Sequence, residues 1–422
     1  MRKNCWRIIV VLMVVILMPI NVYANVDNDA VYGIQTNEIM NWPVGPDIYS
    51  DTGVLMEAAT GEVLYDKGMN EKRYPASVTK IMTALLALEN VDLDEEVVFT
   101  NSSLEGMYEG TNIGMQEGEV LTMEQSLQVL LIKSANEVAN QIAEHVGGSQ
   151  EGFATMMNNR AAELGCANTH FVNASGMPDT RHYTTAYDMA LIFREAIKNE
   201  KFRELISTLN YTLEPTNKNP EVRSFSNAHA VFVPNVAEHY EGCIGGKTGV
   251  TQVAGSTLVT GATRNGVTYI AVVLRAADHG QACADTSMLF DYGYNNFGKI
   301  EDIDGSLVAP KEGMEANLYV EEVNGGADME ATYRWNDHVL GSMKLSSVTG
   351  EVSQGVVLDN DEVAEDESDV RDSTIEDEPV KENETSPVNI YRIIIVVLLI
   401  LVGAGLVMMI VSAKKNKSRR RR

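Results

Sequence analysis

Two spacings of apolar residues take turns along the chain. Short apolar-rich runs at 51–57 and 62–66 flank Ala59-Thr60-Gly61, where Gly61 can take a positive φ, and predict a β-hairpin. After Pro75 the run Ile81, Met82, Ala84, Leu85, Leu86 and Leu88 is apolar nearly all round, which predicts a helix buried at the centre of a domain. Helical periodicity returns at 123–133 and 137–146, broken at Ser134-Ala135-Asn136, and again at 153–164 and 185–198. The period then falls to that of strands at 255–262 and 267–275, joined by Arg264-Asn265-Gly266, a strong hairpin signal, before a closing helix at 284–292. Both strands are apolar at nearly every position, so helices must cover both faces of a central antiparallel sheet, and the fold class is α/β.

Beyond 300 the pattern weakens to short strand-like pieces at 316–320, 331–335 and 355–358, which predict a small β-rich appendage over 301–358. Residues 359–388 hold 13 acids against 2 bases with almost nothing apolar, and read as an acidic disordered linker. At 393–413 a run of 21 residues carries no charge and is long enough to cross a membrane, with a basic tail at 414–422 that places the C-terminus in the cytoplasm. At the other end, 1–24 has the basic start, apolar middle and small-residue finish of a signal peptide. The catalytic body, 45–300 by this division, is therefore expected outside the cell membrane on a single-pass anchor.

Composition adds one exclusion. The chain has 59 acids and 33 bases, a net charge of -26, and the exported part between the signal peptide and the linker keeps the same excess. Such a surface repels phosphate, so nucleic acid is not an expected partner. Cys166, Cys243 and Cys283 remain after signal removal, an odd number without metal-ligand spacing. They read as small buried side chains, with one disulfide involving Cys243 as the alternative. The seven histidines form no ligand spacing either, and neither a metal nor a cofactor is expected.

The chemistry gathers in three short strings. Ser77-Val78-Thr79-Lys80 stands at the predicted start of the buried helix, where free N–H groups and the helix dipole favour an oxyanion and Lys80 shares a face with Ser77. Lysine is a poor base at its ordinary pKa near 10.4, so a dry site and a second cation are required. Ser134-Ala135-Asn136 at the helix break offers a hydroxyl and an amide. Lys247-Thr248-Gly249 offers the second cation, a hydroxyl for a carboxylate, and a residue small enough for a substrate backbone to lie close.

With these strings, the chain resembles the penicillin-recognising serine enzymes of S-x-x-K, S-x-N and K-T-G type, and more narrowly the low-molecular-weight D-alanyl-D-alanine carboxypeptidases. Ala59-Thr60-Gly61-Glu62, Tyr74-Pro75-Ala76-Ser77, Asn173-Ala174-Ser175-Gly176 and His182-Tyr183-Thr184-Thr185-Ala186 extend the likeness from about Ala58 to Phe297. The resemblance implies a β-lactamase/transpeptidase-like domain with a helical subdomain, acting on peptidoglycan stem peptides and acylated by β-lactams. It implies Ser77 as nucleophile, Lys80 as base, Ser134 as proton relay, Asn136 on the acyl amide, and Lys247 with Thr248 on the terminal carboxylate. Gly249 lines the substrate backbone, and the N–H groups of Ser77 and Val250 take the oxyanion. In this reading the position nearest the arginine that relatives often place before the closing helix holds Gln281, so that either Arg275 substitutes or the grip on the carboxylate is weaker. A β-lactamase would need an E-x-x-L-N acid after Asn136, which is absent; a catalytically weak penicillin-binding sensor or scaffold is the remaining alternative.

Overall fold

The computed structural model describes residues 31–105, 110–300, 307–323 and 329–345. The hairpin strands are β1 (Thr52–Glu57) and β2 (Val63–Lys67), with Gly61 at φ +83° in the turn as its position requires. The central helix α1 (Lys80–Asn90) follows, then two short strands β3 (Glu96–Val98) and β4 (Val120–Thr122). Helix α2 (Met123–Gln128) starts on a capping box, Thr122 accepting from Gln125 N–H while the Gln125 side chain accepts from Thr122 N–H. It runs on as a π-helical turn over Val129–Lys133, so the predicted helix at 123–133 is a helix with a widened end.

Helices α3 (Asn136–Gly147), α4 (Gln150–Glu163), α5 (Ala186–Ala196) and α6 (Glu200–Ile206) complete the helical side. A small hairpin, β5 (Asn210–Leu213) with β6 (Arg223–Ser226), precedes the long strands β7 (Cys243–Thr251), β8 (Gly255–Arg264) and β9 (Val267–Ala276). The β8–β9 turn has Asn265 and Gly266 both at positive φ, +51° and +71°, as the sequence predicts. Helix α7 (His279–Asn296) is longer than the predicted closing helix because Asp278 caps it earlier, its side chain accepting from Gln281 N–H.

The main sheet has the order β2-β1-β9-β8-β7, antiparallel throughout. Its alternating residues feed two cores. Val54, Met56, Ile270, Val272 and Leu274 join α1, α3 and α5 on one face; Leu55, Tyr269, Ala271 and Val273 join Leu289 and Phe290 of α7 on the other. Burial on both faces is why these strands read as unbroken apolar runs.

After α7 come β10 (Phe297–Lys299) and β11 (Val308–Pro310), then the sheet β12 (Leu318–Val323), β13 (Met329–Trp335) and β14 (His338–Leu345). The strand expected at 316–320 begins two residues late, after a short helical turn at Met314–Asn317, and the one expected at 355–358 lies outside the described residues. So do the signal sequence, the acidic linker, the apolar run 393–413 and the basic tail. No helix among the described residues is long and apolar enough to cross a membrane. Cys166, Cys243 and Cys283 are all free thiols, and the disulfide alternative is not realised; burial pushes the Cys243 thiol up to about 12 and Cys283 up to about 11.

Candidate active site

Ser77 does not open α1 but stands three residues before it, in a 3-10 turn over Ala76–Thr79 that runs into the helix. Ala76 is held at φ +51°, a strained value for a residue with a side chain, and Pro75 is fixed from the sheet by Thr257 Oγ1 donating to its carbonyl at 2.9 Å. Three residues on, the fully buried Lys80 brings Nζ to 2.9 Å from Ser77 Oγ, 2.8 Å from Asn136 Oδ1 and 2.6 Å from the Ser175 carbonyl.

If Lys80 is neutral, those three partners sort its protons. An amide oxygen and a carbonyl oxygen can only accept. A neutral lysine has two N–H bonds and one lone pair; with the N–H bonds spent on Asn136 and Ser175, the lone pair faces Ser77 Oγ–H. Burial drives Lys80 well below its usual pKa, the charge of Lys247 adds to that, and Glu137 opposes it. Burial alone lowers Lys247 to about 7.

The helix break delivers the second string. Ser134 ends the π-helical turn in the left-handed region at φ +65°, ψ +31°, and Asn136 begins α3 with its backbone N–H on Thr111 O at 2.8 Å. Asn136 Oδ1 thus serves Lys80, while Nδ2 lies 3.5 Å from Met177 Sδ. Ser134 Oγ is buried and makes no hydrogen bond among the described residues, an arrangement that costs about 1–3 kcal/mol unless water or a ligand satisfies it.

The third string lies on β7, the edge strand of the sheet, with Lys247, Thr248, Gly249 and Val250 opposite Val259, Leu258, Thr257 and Ser256. A side chain at Gly249 would come within 2.8 Å of Ser77 N and 2.4 Å of Thr257 Oγ1, so only glycine lets the strand pass this close to the nucleophile. Lys247 Nζ donates to Thr248 O at 3.0 Å; Thr248 is half-buried and Val250 is 74% exposed.

Ser77, Lys80 and Asn136 are therefore in direct contact, Gly249 abuts Ser77, and Lys247 acts on Lys80 through its charge. Ser134 shares the break with Asn136 without bonding to Lys80. Arg275, the substitute grip of the sequence reading, pairs its Nη1 with Asp51 at 2.6 Å. The Gln281 side chain accepts from Ala277 N–H at 2.7 Å, closing its own turn. Two features escaped the sequence reading. The Ser175 carbonyl has no side-chain signature, although Asn173-Ala174-Ser175-Gly176 marked the place. Glu137, buried next to Asn136, accepts from Ile113 N–H at 2.6 Å, and burial raises its pKa. Among the described residues no three His, Cys, Asp or Glu side chains converge as a metal would require.

A family described as D-alanyl-D-alanine carboxypeptidase matches residues 39–278. The chain is 34% identical over 251 residues to the D-alanyl-D-alanine carboxypeptidase DacF of Bacillus subtilis, covering 58% of this chain and 62% of that one. It is 32% identical over 256 residues to DacB2 of Mycobacterium tuberculosis, covering 59% and 84%. Among solved structures, a D-alanyl-D-alanine carboxypeptidase from Mycobacterium tuberculosis superposes with a TM-score of 0.56 at 28% identity, covering 64% of this chain and 99% of that one.

Proposed function

The chain belongs to the D-alanyl-D-alanine carboxypeptidase family of serine peptidases, and on that premise we propose that it removes the terminal D-alanine from peptidoglycan stem pentapeptides through an acyl-enzyme. The observation that carries the reading is Lys80 Nζ, 2.9 Å from Ser77 Oγ with its other two partners able only to accept.

In the proposed cycle Ser77 Oγ attacks the carbonyl carbon between the two D-alanines while its proton passes to Lys80. The carbonyl oxygen gathers negative charge against the N–H groups of Ser77 and Val250. The C–N bond then breaks and the departing amine takes the proton from Lys80 relayed through Ser134 Oγ, which has no hydrogen-bond partner among the described residues. Asn136 Nδ2 holds the acyl amide, and Lys247 with Thr248 receives the terminal carboxylate. Water attacks the ester, Ser77 recovers its proton, and the shortened peptide leaves. A β-lactam enters the same path and stops at the ester.

Incubating the purified full-length chain with a pentapeptide ending in D-Ala-D-Ala tests this directly, with free D-alanine as the expected product. Fluorescent penicillin should label the chain and fail to label Ser77→Ala. Labelling without D-alanine release would instead mark a penicillin-binding sensor, and persistent labelling of Ser77→Ala would move the nucleophile elsewhere. The signal sequence at 1–24, the apolar run 393–413 and the basic tail support an extracytoplasmic body on a single-pass anchor. Protease added to intact cells should digest the body and spare a tag at the C-terminus; a tag digested along with it would reverse the topology.

A further inference from the structure

We propose that Asn173 is a positioning residue for acylation: it fixes the 172–177 segment so that the Ser175 carbonyl stays on Lys80 Nζ and the lysine's lone pair stays on Ser77. The proposal rests on the reading of Ser77 as nucleophile. Asn173 spends its side chain on its own loop. Oδ1 accepts from Ser175 Oγ at 3.2 Å, Gly176 N at 2.7 Å and Met177 N at 3.2 Å, and Nδ2 donates to Met177 O at 3.0 Å.

The loop so stiffened runs along one face of the nucleophile turn and α1. Ala174 O accepts from Thr83 Oγ1 at 2.7 Å, and Ser175 O accepts from Lys80 Nζ at 2.6 Å. Gly176, at φ +84°, sits so close to Ala76 that a Cβ would fall 1.9 Å from its carbonyl oxygen. Positions 83 and 80 are neighbours on one face of α1 and Ala76 opens the turn before it, so three consecutive loop residues meet α1 and the nucleophile turn in reverse chain order. A fourth tie comes from His182. Its Nδ1 accepts from Val172 N–H at 3.1 Å, which leaves the proton on Nε2 to donate to Thr79 Oγ1 at 2.9 Å.

The consequence is directional. Were the Ser175 carbonyl to swing away, one Lys80 N–H would lose its acceptor and could turn toward Ser77 Oγ, placing a proton where the lone pair is needed. The charged groups facing Lys80 are Lys247 from β7 and Glu137 from α3; His182, ahead of α5, is kept neutral by burial, its pKa near 3.

The test measures the second-order rate of acylation by fluorescent penicillin across pH for the full-length chain, Asn173→Ala and Asn173→Asp, with thermal midpoints alongside. Asn173→Ala should acylate about 10- to 100-fold more slowly, the order of loss that follows a misplaced reacting group. Its acid limb should move to lower pH, because withdrawing an acceptor from Nζ disfavours the ammonium. Asn173→Asp keeps an acceptor oxygen for the same three donors and should recover most of the rate, with its limb above that of the alanine variant. The proposal is overturned if Asn173→Ala acylates like the parent whatever its midpoint. It is equally overturned if the rate falls with the limb unmoved and aspartate brings no recovery, the pattern of simple unfolding. Failure of the parent chain to acylate would instead overturn the functional reading beneath it.

Discussion

Lys80 and Lys247 are asked for opposite protonation states by one cleft. Lys80 must be neutral to take the Ser77 proton, Lys247 charged to hold a carboxylate, and burial pushes both toward the neutral form. The first has the greater help, since Lys247's own charge lowers it further. A bell-shaped dependence of kcat/KM on pH follows, the acid limb belonging to Lys80 and the alkaline limb to Lys247, setting in near pH 7 in the empty cleft. A pentapeptide titration checks this; activity still climbing above pH 9 would assign the alkaline limb elsewhere. The same burial costs stability. With a folded pKa of about 7 against an unfolded value near 10.4, the unfolded chain binds more protons between those limits, so stability rises with pH across that window and the full penalty stands below it. Lys247→Met should therefore raise the thermal midpoint at pH 7 and flatten its rise toward pH 10, while hydrolysis of the pentapeptide collapses. Calorimetry at the two pH values decides it, and a lower midpoint at pH 7 would mean the ammonium has a stabilising partner.

At the scale of elements, the site is a meeting of one helix start, one helix break and one sheet edge, and β7 must run unusually close to the first of them. Gly249→Ala should cut acylation by more than about 100-fold, because a methyl 2.8 Å from Ser77 N forces the strand away from the oxyanion donors. Penicillin labelling kinetics would show it, and a change under threefold would mean β7 can shift freely. The first two of these elements announced themselves in sequence through a local rule, the apolar helix after Pro75 and the interrupted periodicity at Ser134; the Asn265-Gly266 hairpin fixes β8 and β9, and β7 beside them is marked only by its Lys247-Thr248-Gly249 string. The elements without any such mark are short and joined by distant contacts. Strands β3 with β4 and β5 with β6 are three or four residues each, and Arg223 of β6 pairs with buried Glu119 beside β4 at 2.5 Å. A bond across about a hundred residues leaves no periodicity to detect. The Ser175 carbonyl is hidden for a different reason, since every residue carries the same backbone acceptor and only the fold selects one.

In the whole molecule, chemistry and appendage occupy opposite edges of one sheet. The cleft lies on β7, whereas Trp42 covers β2 by donating its Nε1–H to Leu64 O at 3.0 Å. Four strand spacings, about 19 Å, separate the two edges. The appendage is fastened to the β2 side: fully buried Trp335 meets Trp42 edge-on at 6.4 Å and donates its Nε1–H to Met40 O at 3.1 Å, and His338 reaches Glu62 at 2.7 Å. Trp335 is the centre of this joint, and emptying its site should cost about 3–5 kcal/mol, the usual loss for truncating a buried tryptophan. Because the joint lies the breadth of the sheet from Ser77, Trp335→Ala should lower the unfolding midpoint yet leave kcat/KM on a soluble pentapeptide within about twofold at a temperature where the protein stays folded. Parallel melting curves and D-alanine release rates separate the two effects. A large loss of turnover without loss of structure would mean that the appendage reaches the cleft through the sheet, and that the two edges are mechanically one unit.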